Sequence, residues 1–270
     1  MIFLTVFIDL LGFGIVLPLL PIYADQFSTD ERGVQLGILM ASFSAMQFLF
    51  APVWGRVSDR IGRRPVIMIG LAGSVVFYTL FGLATVWKSF SLLLFTRIGA
   101  GIAGATIATA QAYIADTTTL EKRSKGMALI GMAFGFGFTL GPLLGFAAVM
   151  FGKGDPGPLP GYIAAVLSAI ALVLAWFQLP ESRNYDQPSE AKTRLFDFGG
   201  FREAIGTRSI MPLFLASFIC VFSFANFETT LSLLVKGKAG APFEFSFGQV
   251  FLTYASVSYT HLTLPTIYSV

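Results

Sequence analysis

Apolar residues come in long runs along this chain, broken by short charged or glycine- and proline-containing segments. The runs cover 3–24, 34–54, 65–86, 90–115, 125–150, 161–179 and 210–234, and an eighth begins near Gly248. A helix of about 20 residues crosses roughly 30 Å of hydrocarbon, and in lipid a helix satisfies its own backbone donors and acceptors. The pattern therefore predicts an all-α membrane protein with seven complete spans and the start of another.

Charge sits in the breaks and orients the spans. The segments after even-numbered spans hold twelve basic residues: Arg56, Arg60, Arg63, Arg64, Lys122, Arg123, Lys125, Arg183, Lys192, Arg194, Arg202 and Arg208. The other breaks hold five, Arg32, Lys88, Lys153, Lys236 and Lys238. By the positive-inside rule the N-terminus is cytoplasmic. That bias also opposes a seven-helix receptor, which would place its N-terminus outside. No cleavable leader is expected, because the first run lacks a basic n-region and an A-x-A site.

Composition adds two constraints. Charged residues make up 12% of the chain, against about 25% in soluble domains, and the mean hydropathy is +0.74. The formal charge of +3 is local to short loops and gives no reason to expect nucleic acid. The single cysteine, Cys220, lies in an apolar run, so no disulfide framework follows. No phosphate-binding loop is present either: the tightest glycine cluster, around Gly135 and Gly137, lies in a span and lacks the lysine. The expectation is no enzyme and no cofactor.

The segment between spans two and three is more specific. It reads Gly55-Arg56-Val57-Ser58-Asp59-Arg60-Ile61-Gly62-Arg63-Arg64. Gly55 and Gly62 suit tight turns. Arg60, Arg63 and Arg64 hold the segment at an anionic leaflet, and Asp59 stands four residues before Arg63 within reach of a charge-assisted bond. The G-x-x-x-D-R-x-G-R-R spacing resembles the signature between helices two and three of the major facilitator superfamily. The resemblance implies a secondary transporter working by alternating access. It also implies a cytoplasmic latch in which Asp59 and Arg63 join an acid at the end of helix four, a role that Asp116 is placed to fill.

Ionisable residues inside spans are expensive unless protonated, paired or facing water. Asp9 is one, and it leads the phrase Asp-x-x-Gly-x-Gly-x-x-x-Pro-x-x-Pro, which resembles helix one of drug:proton antiporters. It is read either as a proton-coupling acid or as an interfacial aspartate wetted from the cytoplasm. Arg97, in Arg-Ile-Gly-Ala-Gly-Ile-Ala-Gly-Ala, stays charged at any working pH. The resemblance links it to proton transfer; the alternative is an arginine snorkelling at the outer boundary. Gly99, Gly101 and Gly104 are read as packing residues. Gln111, Asn226 and Glu228 complete the intramembrane polar set, with Gln111 and Glu228 as further substrate or proton candidates.

Span five carries Gly137, Gly141 and Gly145 four apart on one face, a doubled small-xxx-small surface, with Pro142 expected to kink the helix. Gly-Pro at this place resembles the antiporter motif of helix five, although Phe146 and Ala128 stand where family members often have small residues.

The expected organisation is a major facilitator fold. Residues 1–180 form the N-terminal six-helix bundle, 181–209 a cytoplasmic linker with a short amphipathic helix near Phe198–Ile205, and 210–256 helix seven with part of helix eight. Residues 257–270 resemble translated sequencing-adapter text, and so count as a non-native tail that removes His261 from the chemistry. The resemblance implies a proton-coupled antiporter in the inner membrane. It would export small amphipathic compounds and have protons and lipid as its other partners. An uptake or exchange carrier for sugars or metabolites, and an inert fragment, remain the alternatives.

Overall fold

The computed structural model describes residues 2–27, 33–152, 157–183, 206–207, 210–236 and 243–267. Its helices are α1 (Ile2–Val16), α2 (Leu20–Phe27), α3 (Val34–Ile61), α4 (Arg63–Val86), α5 (Phe90–Gly104), α6 (Ile107–Thr117), α7 (Leu120–Phe151), α8 (Leu159–Gln178), α9 (Ile210–Lys236) and α10 (Phe247–Ile267). Among the described residues seven stretches are long and apolar enough to cross a membrane, with α1 and α2 forming the first and α5 and α6 the fourth. No strand occurs among the described residues.

The first span is interrupted for a covalent reason. Pro21 has no N–H to offer the Leu17 carbonyl, so Leu20 donates to it instead and Leu17–Leu19 tighten into a 3-10 turn. The fourth span starts cleanly, with Ser89 Oγ accepting from Leu92 N at 3.3 Å. It breaks at Ala105 and Thr106, where the sequence pattern shows one continuous run.

The segment expected to be a loop between spans two and three is mostly helix. Gly55, Asp59 and Arg60 all lie within α3, and the chain reverses at Gly62 alone (φ 107°, ψ 157°). That left-handed conformation is one a side chain resists. Gly55 makes no turn; a Cβ added there would meet open space. Likewise α7 begins at Leu120, ahead of the expected 125, so Glu121, Lys122, Arg123 and Lys125 ride on the helix. Pro142 sits inside α7, which remains helical through it.

Helix α1 lies at the centre of the bundle, against α7 and α8; α4 packs on α5 and α8, α3 on α5, and α10 on α7. Small residues set these distances. A Cβ on Gly14 would stand 2.4 Å from Gly137 O, and one on Gly141 would stand 2.7 Å from Gly14 Cα. The two backbones therefore touch directly. Farther along the same stripe, Gly145 is the socket for the fully buried Phe251 of α10. The stripe read from the sequence thus serves two different partners.

Helix α9 presents much of its apolar surface outward, Leu213, Phe218 and Val221 among it. Its buried contacts gather near its C-terminal end. There Ser232 Oγ donates to Pro18 O at 3.0 Å and stands 2.6 Å from Tyr254 Oη, beside a cluster of Ile22, Val235 and Val250. Helix α10 stays helical past Val257 to Ile267, so backbone geometry does not mark off the tail. The helix expected near Phe198–Ile205, with Lys192, Arg194, Arg202 and Arg208, lies outside the described residues.

Replacing Gly14 by alanine is expected to push α1 off α7 and to destabilise the protein by about 1–3 kcal/mol, the usual cost of overpacking. Gly131→Ala, where nothing lies within 4 Å of the added methyl, should leave stability level or slightly higher. Thermal unfolding of the two purified variants in one detergent compares them.

Candidate functional site

Two polar assemblies stand out, one inside the bundle and one at the Gly62 end. The inner assembly lines a cavity of about 740 Å³ enclosed by α1, α3, α4, α5, α6, α7 and α9. Among the described residues its charged walls are Asp9 on α1 and Arg97 on α5.

Asp9 is half-buried. Ser168 of α8 donates to its Oδ1 at 2.8 Å, and Ser74 of α4 lines the same cavity. The carboxylate thus stands on the cavity wall between α1 and α8. Arg97 is 3% exposed, and its guanidinium lies 4.5 Å from the Phe43 ring centroid and 5.8 Å from that of Phe13. Such a side chain faces inward; it does not snorkel to headgroups. Tyr78, buried on α4, lies within electrostatic reach of both charges.

The break between α5 and α6 belongs to this site. It frees carbonyls that would otherwise be bonded within a helix, and α3 satisfies two of them: Gln47 Nε2 donates to Gly104 O at 3.0 Å, and Trp54 Nε1 donates to Ile102 O at 2.7 Å. Close packing fixes the same helix pair, since a Cβ on Gly101 would fall 2.4 Å from Phe43 O. Gly99 is packed against the Phe77 ring.

The remaining polar candidates divide. Asn226 lines the cavity from α9 and donates to Phe222 O of its own helix at 2.8 Å. Gln111 is exposed on α6, and the cavity walls reported for that helix are Ile107 and Ala110 in its place. Glu228 lies on α9 with its side chain outside the described residues.

At the Gly62 end, Arg63 bridges two acids. Its Nη1 lies 2.6 Å from Asp59 Oδ1, one turn back on α3, and its Nε lies 3.1 Å from Asp116 Oδ2 at the end of α6. Nη1 also donates to Ser58 Oγ at 2.6 Å. One planar fork thereby ties α3, α4 and α6 together, geometry a lysine could not reproduce. Arg60 is exposed, and its carbonyl accepts from Arg183. Arg64 donates from Nη2 to Trp176 O on α8 at 2.5 Å.

Glu181, just past α8, was not singled out from the sequence, yet it organises this corner. Its Oε1 accepts from Arg63 N at 2.9 Å, Ser182 N at 2.9 Å and Arg183 N at 3.0 Å, while Oε2 accepts from Arg64 N at 3.2 Å. The first-turn amides of a helix have no intrahelical acceptor and lie at the positive end of its dipole, so this carboxylate, on the segment after α8, caps α4 from a distant part of the chain. The only signal for it was an acid placed directly after an apolar run. Glu181→Gln turns one acceptor oxygen into a donor facing those amides, and is expected to cost about 1–3 kcal/mol. Denaturant or thermal unfolding against the parent measures it.

Comparison with known proteins places these features in a family. The Major Facilitator Superfamily model matches residues 2–262. The chain is 37% identical over 189 residues to the class D tetracycline resistance protein of Salmonella ordonez, covering 68% of this chain and 46% of that protein. It is 36% identical over 219 residues to the class C tetracycline resistance protein of Escherichia coli, covering 80% and 53%. The crystal structure of the human organic anion transporter MFSD10 (TETRAN) superposes with a TM-score of 0.70 at 27% identity, over 97% of this chain and 69% of that one. The chain spans about half the length of the curated relatives it matches. It is a multi-pass membrane protein of a transporter family, not an enzyme, and it belongs to the major facilitator superfamily.

Proposed function

We propose that this chain is part of a proton-coupled antiporter that exports small amphipathic compounds from the cell by alternating access. The observation that carries the reading is the shared cavity, where Asp9 and Arg97 stand in one chamber walled by phenylalanines and small polar groups. An acid in that setting can take up a proton from one side and release it to the other as the walls move. The driving force is the proton gradient, with no resident cofactor. The compound binds against the aromatic walls, and no covalent bond in it changes.

Orientation follows from charge. With Arg63 and its neighbours on the inner face, the N-terminus is cytoplasmic and the membrane is the plasma membrane. The contacts of α9 with the first span gather at the end remote from Gly62. The Asp59–Arg63–Asp116 cluster acts as a conformational latch. It ties three helices at the inner surface and is remade as the bundle rocks. The tetracycline resistance proteins support an export reading over uptake by their likeness in sequence.

Inverted membrane vesicles bearing the full-length protein test coupling. Asp9→Asn is expected to abolish proton-driven accumulation of an exported drug while leaving membrane insertion intact; undiminished accumulation would remove Asp9 from the coupling role. Asp59→Asn should slow cycling and leave equilibrium binding close to the parent value. Equal losses of binding and transport would make Asp59 part of the compound's site, not a latch.

A further inference from the structure

The two charges in the cavity are not equally provided for. Asp9 has a hydroxyl donor in Ser168. Arg97 is 3% exposed; among the described residues no carboxylate pairs with it, and its Nε finds no acceptor. A guanidinium remains charged and carries five N–H donors in one plane. Burying such a cation without an anion is costly. The neighbouring rings of Phe43 and Phe13 offset part of that cost, but a π face accepts no planar pair of N–H bonds.

What Arg97 lacks is a planar acceptor, and the wall beside it is built for an apolar ring. Phe13 lies 5.1 Å from Phe43 and 5.9 Å from Phe138, centroid to centroid. The geometry points to an organic anion as the cavity's ligand. Its carboxylate or comparable oxyanion is held by the guanidinium of Arg97, and its aromatic body lies against Phe13, Phe43 and Phe138. Arg97 is then a binding residue that selects compounds by charge. The inference rests on the cavity being the site of the transported compound, but it is independent of the direction of transport.

Three isosteric probes separate charge from shape: naphthoate, naphthamide and naphthylmethylammonium, titrated calorimetrically into the purified chain in lipid nanodiscs. Naphthoate is expected to bind about tenfold to a hundredfold more tightly than the amide, the scale of a hydrogen bond to a charged group, with the ammonium weakest. Arg97→Gln should bring naphthoate down to the affinity of the amide and leave amide binding in place, which also certifies the variant's fold. Arg97→Lys keeps the charge without the planar fork, so part of the preference should survive. If the glutamine variant does not fold, the lysine variant decides: an undiminished preference overturns the assignment to the guanidinium. Equal affinities for the three probes, or a preference for the ammonium, overturn the anion assignment and leave the cavity as a compound site. Absence of binding by all three overturns the cavity reading itself, and the inference with it.

Discussion

Direct contact between the backbones of α1 and α7 is the constraint on which the rest of the bundle depends. Apolar helices in lipid gain little from hiding from water, so association rests on close packing and the few polar contacts that packing permits. Gly14, Gly137 and Gly141 remove the side chains that would hold the two helices apart. With α1 seated there, its other face reaches α8 closely enough for Ser168 to bond Asp9. The same seat sets Phe13 beside Phe43 and Arg97. The position of both cavity charges therefore traces back to three missing methyl groups.

Interruption is the second recurring device. Spans one and four each break once, and each break exposes carbonyls that a neighbouring helix then binds. Irregular backbone is tolerated at membrane depth where it is buried in protein or lines a cavity, and both breaks meet that condition. The polar side chains that answer them, Gln47, Trp54 and Ser232, are spaced along α3 and α9. The breaks thus add polar ties between helices, α3 and α5 among them, that also pack closely.

The number of spans and the Asp59–Arg63 pair were legible in the sequence because each rests on local signals, run length and acid–base spacing, whereas Asp116, 53 residues from Arg63, entered only through the family resemblance. The extent of α3 was not legible, since charged residues at a helix end look like loop until the single reversal at Gly62 is seen. Arg97 could be placed in a span but not turned, because facing inward depends on contacts with Phe13 and Phe43 that are far away in sequence. Gln111 shows the converse: polarity inside an apolar run marks expense but not direction, and its side chain faces away from the chamber. Glu181 and Ser168 act on partners more than a hundred residues distant in the chain, beyond the reach of spacing arguments.

The bond between Ser232 and Pro18 has an asymmetric chemistry. On one side the acceptor is a main-chain oxygen, presented by the fold of the turn and not by any particular side chain; on the other the donor is a hydroxyl. Substitution in the first span can remove this acceptor only by changing the path of the backbone, whereas losing one oxygen atom from Ser232 is enough to remove the donor. Drift in sequence therefore bears on this junction almost wholly from the side of α9, and the first span can vary its side chains there as long as the turn survives.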